Sequence, residues 1–182
     1  MTIIGKLAPL ARTAATSLTH WRRFFEALRE AYPPVDRICA ALQVDPYTAY
    51  LTRVAQTPDL DPILGGDGLF ADREQSRTFE VIAEGAPYLV RDADWSAYSD
   101  LAGYAVVMKA NMKFPVSFGG HPTVWNVWSR TAGAFTATHL DDFAELAAEL
   151  SRSPYIFAPI PVGLSLRRAR DLAESRARAL AA

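Results

Sequence analysis

Two lysines on one predicted strand are the first residues that suggest chemistry. Only three lysines occur among the 182 residues, and Lys109 and Lys113 flank Asn111 in a stretch with strand-like alternation. Every second side chain of a strand lies on one face, so these polar residues would share a face. Two ammonium groups and an amide can hold a carboxylate or a phosphate. The alternative is an exposed turn around Asn111, which is favoured because lysines are seldom fully buried.

Aromatic residues near these lysines form a second group of candidates. On the following predicted strand, Asn126 and Trp128 share one face, whereas Trp125 and Val127 share the other. An indole offers a flat stacking surface, and the amide offers both donors and an acceptor. Three further aromatic residues follow one another closely in the chain: Trp95, Tyr98 and Tyr104. Together they would suit an aromatic cage for an aromatic or cationic ligand. For both groups the alternative is ordinary core packing.

Other kinds of chemistry find little support in the sequence. The three histidines, His20, His121 and His139, lack the spacing of metal ligands on a helix. The chain also lacks a Gly-x-Ser-x-Gly motif and a phosphate-binding glycine loop followed by lysine. The single cysteine, Cys39, excludes a disulfide within the chain and lies in an apolar stretch, where we expect it to be inert. We therefore expect no metal and no cofactor.

Composition narrows the possible partners. The formal net charge is −1 at pH 7, so no strong field favours nucleic acid or an anionic membrane. No apolar run approaches the roughly 20 residues of a membrane-spanning helix. The single cysteine fits a reducing cytoplasm. We expect a cytoplasmic protein that binds neither nucleic acid nor a membrane.

The elements that position the candidates follow from hydrophobic periodicity. Residues 113–118 alternate as a strand, Gly119 and Gly120 suit a tight hairpin, and residues 124–129 form a second strand with bulk on both faces. A strand that is apolar on both faces is usually covered on both sides. After a turn at Gly133, Thr138 with Asp141 predicts a capped helix that continues to residue 150.

The preceding part of the chain predicts alternating helices and strands. An amphipathic helix extends from residue 17 to 32, with Trp21 and Phe25 on its apolar face, and Pro33 ends it. The other predicted elements are strands at 35–42, 47–54, 88–90 and 104–112, a turn at 43–46, a loop at 57–72, and helices at 73–84 and 96–101. A loop as long as 57–72 indicates a lid, a binding loop or disorder.

The order of strand, Gly-Gly hairpin, strand, Gly133-Ala-Phe135 turn and capped helix resembles the end of a GAF domain. Residues 19–100 resemble the family more loosely, and Thr123 stands where the family commonly has glycine. The resemblance implies an α/β (α+β) fold, with an antiparallel sheet of five or six strands and helices on both faces. It places the GAF-like domain at 17–152. Composition and pattern predict an N-terminal arm or short helix at 1–16, and a connector and C-terminal helix at 153–182, which lie outside the resemblance.

The resemblance also implies where a ligand would bind. Asn126 and Trp128 would face a pocket that is closed by segments 73–84 and 95–104, with 57–72 as a lid. The pocket would also include Trp95, Tyr98 and Tyr104. We expect an organic ligand with a negative group near Lys109 or Lys113, stacked on Trp128.

Two functions from different classes follow from this resemblance, together with a third possibility. The first is a stand-alone sensor or regulatory protein that binds a metabolite and forms a homodimer through helices 18–32 and 140–150. The second is a small-molecule enzyme with Lys109 or Lys113 as base or electrostatic clamp. The third is an interaction module with a vestigial pocket. The GAF-type methionine sulfoxide reductases use several cysteines, and a lone Cys39 does not fit that chemistry.

Overall fold

The structure is a computed structural model, and it describes residues 2–43, 50–57, 68–70, 76–102 and 104–154. Its helices are α1 (Ile3–Ala14), α2 (Leu18–Ala31), α3 (Arg77–Glu84), α4 (Asp94–Ala97), α5 (Ser99–Ala102) and α6 (Ala137–Ser151). Its strands are β1 (Arg37–Gln43), β2 (Tyr50–Thr57), β3 (Gly68–Phe70), β4 (Tyr88–Leu89), β5 (Ala110–Phe118) and β6 (His121–Ser129). The elements form one mixed fold of helices and an antiparallel sheet.

The six strands form one antiparallel sheet in the order β3-β2-β1-β6-β5-β4. The predicted Gly-Gly hairpin joins β5 to β6, with φ of 58° at Gly119 and 83° at Gly120. Glycine suits both positions because other residues seldom adopt positive φ. The hairpin sets the β5–β6 register, in which Phe118 pairs with His121 and Ala110 pairs with Ser129. The predicted sheet of five or six strands is confirmed.

Helices α2 and α6 pack on one face of the sheet, which we call the inner face, and α1 packs over both helices. The buried side chains that meet there are apolar, and they include Trp21, Phe24, Phe114, Trp125, Phe143 and Leu146. The ring of Trp125 lies at the centre, 5.8 Å from Phe24 and 5.7 Å from Phe143 between ring centroids. Burial of these large side chains is the main source of stability on this face.

The N-terminal arm is an ordered helix that covers α2. Helix α1 packs against both α2 and α6, and Arg12 Nη2 lies 2.7 Å from Glu149 Oε2 of α6. Helix α2 therefore buries its aromatic residues within its own chain, with Trp21 and Phe24 at 0% exposure and Phe25 at 5%. Helix α1 thus covers the apolar face of α2 through which we had predicted a homodimer.

Several predicted boundaries were wrong. Helix α6 begins after Thr136, whose backbone N–H donates to His139 Nδ1 at 3.1 Å, so the predicted cap at Thr138 with Asp141 is displaced by two residues. The strand predicted from Tyr104 begins at Ala110, because residues 104–107 form hydrogen-bonded turns. The helix predicted at 96–101 is two short helices, α4 and α5.

Some predicted segments lie outside the described residues. They are most of the turn at 43–46, the start of the strand at 47–54, residues 58–67 and 71–72 of the predicted loop, residues 73–75 of the predicted helix, and residues 155–182 of the connector and C-terminal helix. Within the predicted loop, residues 68–70 form β3, which pairs with β2. At the end of α3, Gly85 has φ of 64°, as the predicted glycine stop requires.

Candidate functional site

The face of the sheet opposite the inner face carries buried polar side chains, and we call it the polar face. Residues paired across β1, β6 and β5 share a face, so Cys39, Asn126 and Lys113 form one row. Arg37, Trp128 and Asn111 form the next row. All six side chains are buried. The predicted sharing of a face by Asn126 and Trp128 agrees with this register.

Lys113 lies at the centre of the polar face with only 1% of its surface exposed. Its Nζ donates to Thr78 Oγ1 at 2.8 Å and to Asn126 Oδ1 at 3.0 Å. Nζ also lies 5.7 Å from the centroid of the Trp128 ring. An ammonium group so fully removed from water is expensive to bury, and it gains strongly from any nearby negative charge.

Helix α3 brings its N-terminal turn to Lys113. Ser76 caps the helix, since its side chain accepts from the Phe79 backbone N–H at 3.4 Å. Thr78, the partner of Lys113, belongs to the first turn. The N-terminal end of a helix carries a partial positive charge. A buried site in which an ammonium group lies beside a helix N-terminus favours an anionic ligand.

Arg77 joins α3 to β4 and α4. Its guanidinium lies 3.9 Å from the ring centroid of Tyr88 and 4.4 Å from that of Tyr98. It also pairs with Glu80 and with Asp94, whose Oδ1 lies 3.4 Å from Nη2. These contacts hold the helix that supplies Thr78 against the elements that flank the site.

The two tyrosines around Arg77 are held in their neutral form. Burial raises the pKa of Tyr88, and its hydroxyl donates to Asp94 Oδ2 at 2.8 Å, which raises the pKa further. Burial likewise raises the pKa of Tyr98, whose hydroxyl donates to Glu80. Both phenols therefore act as hydrogen-bond donors to carboxylates at neutral pH, and neither serves as a base.

Aromatic side chains surround Trp128. Tyr104 stacks on it with ring centroids 4.5 Å apart and planes 16° apart, and Trp95 lies 6.1 Å away at 54°. Trp95 and Tyr104 of the predicted cage therefore meet at Trp128, whereas Tyr98 contacts Arg77. Because Tyr104 already covers one face of the indole, a ligand could not stack on that face without displacing it.

The structure separates the two candidate lysines. Lys109 precedes β5, is exposed, and donates from Nζ to the backbone oxygen of Ala105 at 2.8 Å. Asn111 is buried and donates from Nδ2 to the backbone oxygens of Met112 and Val127. The polar face thus combines Asn111 with Lys113, as strand alternation predicted, but Lys109 is not part of the buried row.

Sequence reasoning missed Thr78 and Arg77. The available signal was Ser76, a good N-cap residue, which places Thr78 in the first turn of the helix. That signal locates the turn along the chain, but only the packing of α3 over β5 brings Thr78 to Lys113. In the described ranges, no group of three His, Cys, Asp or Glu residues could hold a metal ion. None of the helices described is long and apolar enough to span a bilayer.

Comparison of the fold with solved structures identifies its class. Neither a protein-family model nor a curated protein matches the chain. Among solved structures, the GAF domain of a two-component sensor histidine kinase from Bacillus halodurans has a TM-score of 0.56 at 16% identity, covering 75% of this chain and 92% of that chain. The GAF domain from Acinetobacter phosphoenolpyruvate-protein phosphotransferase has a TM-score of 0.58 at 14% identity, covering 82% and 88%. The chain therefore has a GAF-like fold, as its sequence predicted.

An enzyme of similar fold is also among these structures. The free methionine-R-sulfoxide reductase from Neisseria meningitidis, solved in complex with its substrate, has a TM-score of 0.62 at 16% identity. The alignment covers 82% of this chain and 84% of that chain. Identities this low establish the shared fold alone.

Proposed function

We propose that this protein binds a small organic anion on the polar face of its sheet, as a sensor or regulatory protein with a GAF-like fold. The observation that carries the proposal is the burial of Lys113 beside Thr78 at the N-terminus of α3. In the proposed complex, a carboxylate or phosphate of the ligand approaches the Lys113 ammonium. Asn126 and Trp128 line the same site, with Trp95, Tyr98 and Tyr104 as its surrounding aromatic residues.

The buried positive charge of Lys113 favours an anion. An ammonium group loses much of its hydration when it is buried, and Lys113 Nζ donates to the oxygens of Thr78 and Asn126. A ligand anion would interact with Lys113 at reduced dielectric, where attraction between charges is stronger than in water. The partial positive charge at the start of α3 adds to this attraction.

The comparisons support a small-molecule role at the level of the fold. One similar structure is a reductase with its substrate bound, and another is a domain of a sensor kinase. Both binding and catalysis therefore occur on related folds. The signalling role, the cytoplasmic location and the homodimer form part of this proposal. A dimer would have to use surfaces outside the face of α2 that α1 covers, and light scattering at micromolar concentration would reveal it.

The first experiment compares the two lysines. Full-length protein would be screened by thermal shift against a panel of small carboxylates and phosphates, and the affinity of each hit would be measured by calorimetry. We expect Lys113→Met to lower the affinity at least tenfold, because it removes the buried charge but keeps most of the length of the side chain. Lys109→Met should leave affinity within about twofold, since the exposed Lys109 lies in solvent.

Two outcomes would contradict the proposal. One is the absence of any anion that stabilises the wild-type protein at millimolar concentration. The other is an equal loss of affinity in both variants, which would indicate general charge attraction in place of a site at Lys113. Unfolding curves of each variant would show that a loss of affinity does not result from a loss of structure.

An enzyme built on the same pocket is the second candidate. The similar reductase structure favours it, and Lys113 would act as base or electrostatic clamp. A thiol-based reduction would need an external thiol to complete the cycle, because Cys39 is the only cysteine and is buried. Incubation of the protein with the anions that bind, followed by mass spectrometry of the products, would identify turnover. Binding without any product favours the sensor.

A further inference from the structure

Two cross-strand neighbours on the polar face each have a buried polar atom with no hydrogen-bond partner among the described residues. These atoms are Nε1 of Trp128 and Oδ1 of Asn111, in side chains that are 2% and 0% exposed. The indole nitrogens of Trp21 and Trp125 also lack acceptors, but they lie in the apolar core of the inner face. Among the described residues, an unsatisfied indole donor and an unsatisfied amide oxygen belong to cross-strand neighbours only at Trp128 and Asn111.

The orientation of the Asn111 amide is determined by its surroundings. Nδ2 donates to the backbone oxygen of Met112 at 3.2 Å and to that of Val127 at 3.0 Å. A flipped amide would place Oδ1 against these two carbonyl oxygens, which cannot donate. The Asn111 oxygen is therefore the acceptor that remains, and it needs a donor from another group.

Trp128 and Asn111 are neighbours across the β5–β6 pair. Asn111 and Trp128 are directly opposite in the β5–β6 register, which places their Cβ atoms about 4.5–5.5 Å apart. Tyr104 covers one face of the indole, so the N–H edge is the part of Trp128 left for polar recognition. Lys113 Nζ lies only 5.7 Å from the indole centroid, within the span of one small molecule.

We infer that the anion at Lys113 carries a second, neutral group, a hydroxyl or a primary amide, that accepts from Trp128 Nε1 and donates to Asn111 Oδ1. This inference rests on the proposed function and narrows the ligand to short hydroxy acids or amide-bearing acids. A group must both accept and donate to satisfy the two atoms. A second carboxylate, an ether or a sulfoxide oxygen accepts only, and an ammonium group donates only.

The test uses a matched pair of probes that differ by one hydroxyl, δ-hydroxyvalerate and valerate. Calorimetry with the full-length wild-type protein should give about tenfold tighter binding of the hydroxy acid, the factor expected from one or two net hydrogen bonds. Trp128→Phe removes the indole N–H and should reduce the ratio of the two affinities to about one, whatever its effect on the affinity for valerate itself. Trp125→Phe makes the same change on the inner face and should leave the preference intact.

A spectroscopic readout makes the test independent of the stability of the variants. The indole N–H resonance of Trp128, assigned by its loss in Trp128→Phe, should shift on addition of δ-hydroxyvalerate but much less with valerate. Equal binding of the two acids, abolished by Lys113→Met, would overturn this inference and leave the proposed function in place. If neither acid binds the wild-type protein, this inference fails, whereas the anion site at Lys113 fails only if no anion of the wider panel binds.

Discussion

The two faces of the sheet are made by the same strands but differ in chemistry. On the inner face, β1, β5 and β6 present apolar side chains: Ile38, Ala40, Met112, Phe114, Val116, Trp125 and Val127. On the polar face, the same strands present Arg37, Cys39, Asn111, Lys113, Asn126 and Trp128. Both sets are buried, so solvent exposure does not account for the difference.

The difference indicates which face chiefly stabilises the fold, and it supports our proposal that a ligand binds on the other face. Burial of apolar side chains stabilises the native state, whereas burial of Lys113 or Asn111 adds stability only if every polar atom is satisfied. The apolar inner face, covered by α2 and α6, suits packing alone. The polar groups of the opposite face contribute less to folding, and local departures from good packing are expected at functional sites.

The largest expected effect comes from tryptophan deletion on the two faces. Trp125→Ala should lower the free energy of unfolding by about 3–5 kcal/mol, because it leaves a cavity among Phe24, Phe114 and Phe143. Trp128→Ala should lower it less, because its neighbours Tyr104 and Trp95 belong to a smaller cluster. Urea unfolding of both variants measures the difference.

Trp128→Ala should also weaken anion binding, whereas any Trp125→Ala protein that remains folded should bind normally. Equal losses of stability with no loss of binding in either variant would mean that the two faces are equivalent cores. In that case the polar face would have no special role.

A smaller effect is expected at the elements that cover the polar face. Arg77→Met should lower the free energy of unfolding by roughly 2–3 kcal/mol, since it leaves Asp94 without its buried partner and removes contacts with two tyrosine rings. It should also weaken anion binding, because α3 then loses the ion pair between Arg77 and Asp94 of α4, and Thr78 shifts relative to Lys113.

Arg91→Met is the matched control. Arg91 approaches the same Asp94, with Nε 3.9 Å from Oδ2, but its side chain is 73% exposed. Exposed ion pairs contribute little, so the change should stay within about 0.5 kcal/mol. If the two variants lose stability equally, burial of Arg77 does not matter, and α3 must be held in place by other contacts.

Much of the fold could be predicted from the sequence because apolar residues recur with different periods in strands and in helices. The hairpin at Gly119 and Gly120 and the two-faced strand that follows it were assigned correctly. The packing of α1 could not be predicted, since residues 3–14 are small and mixed and become a helix against α2 and α6. Tertiary contact therefore decided the position of the N-terminal helix, and with it the burial of α2.

The site could be predicted only in part, for a related reason. Alternation correctly placed Asn111 with Lys113 and Asn126 with Trp128, because each pair lies within one strand. Alternation fails at Lys109, since β5 begins one residue later. The contacts of Thr78 and Arg77 join elements far apart in the chain, and no local pattern reports such contacts.

The smallest expected effect lies at the rim of the inner face, where Tyr32 of the α2 C-cap meets α6. Its hydroxyl donates to Asp142 Oδ2 at 3.0 Å, and burial together with this bond raises the pKa of Tyr32 to about 12. The bond is partly exposed, so Tyr32→Phe should lower the free energy of unfolding at neutral pH by only about 0.5–1 kcal/mol. Urea unfolding at neutral pH measures this loss.

The pH dependence reports on the environment of the Tyr32 hydroxyl, which is set by its burial and by its bond to Asp142, because Tyr32→Phe keeps the packing of the ring on Phe143. Because the pKa of Tyr32 is raised to about 12 in the folded protein, against about 10 in the unfolded chain, its contribution is complete below pH ~10 and is lost as the pH rises through the folded pKa. The stability difference between wild type and Tyr32→Phe should therefore be constant at neutral pH and shrink above pH ~10. Urea unfolding of both proteins in parallel cancels the titration of other groups. A difference that stays constant through that range would contradict the raised pKa, because neither burial of the hydroxyl nor its bond to Asp142 would then favour the neutral phenol.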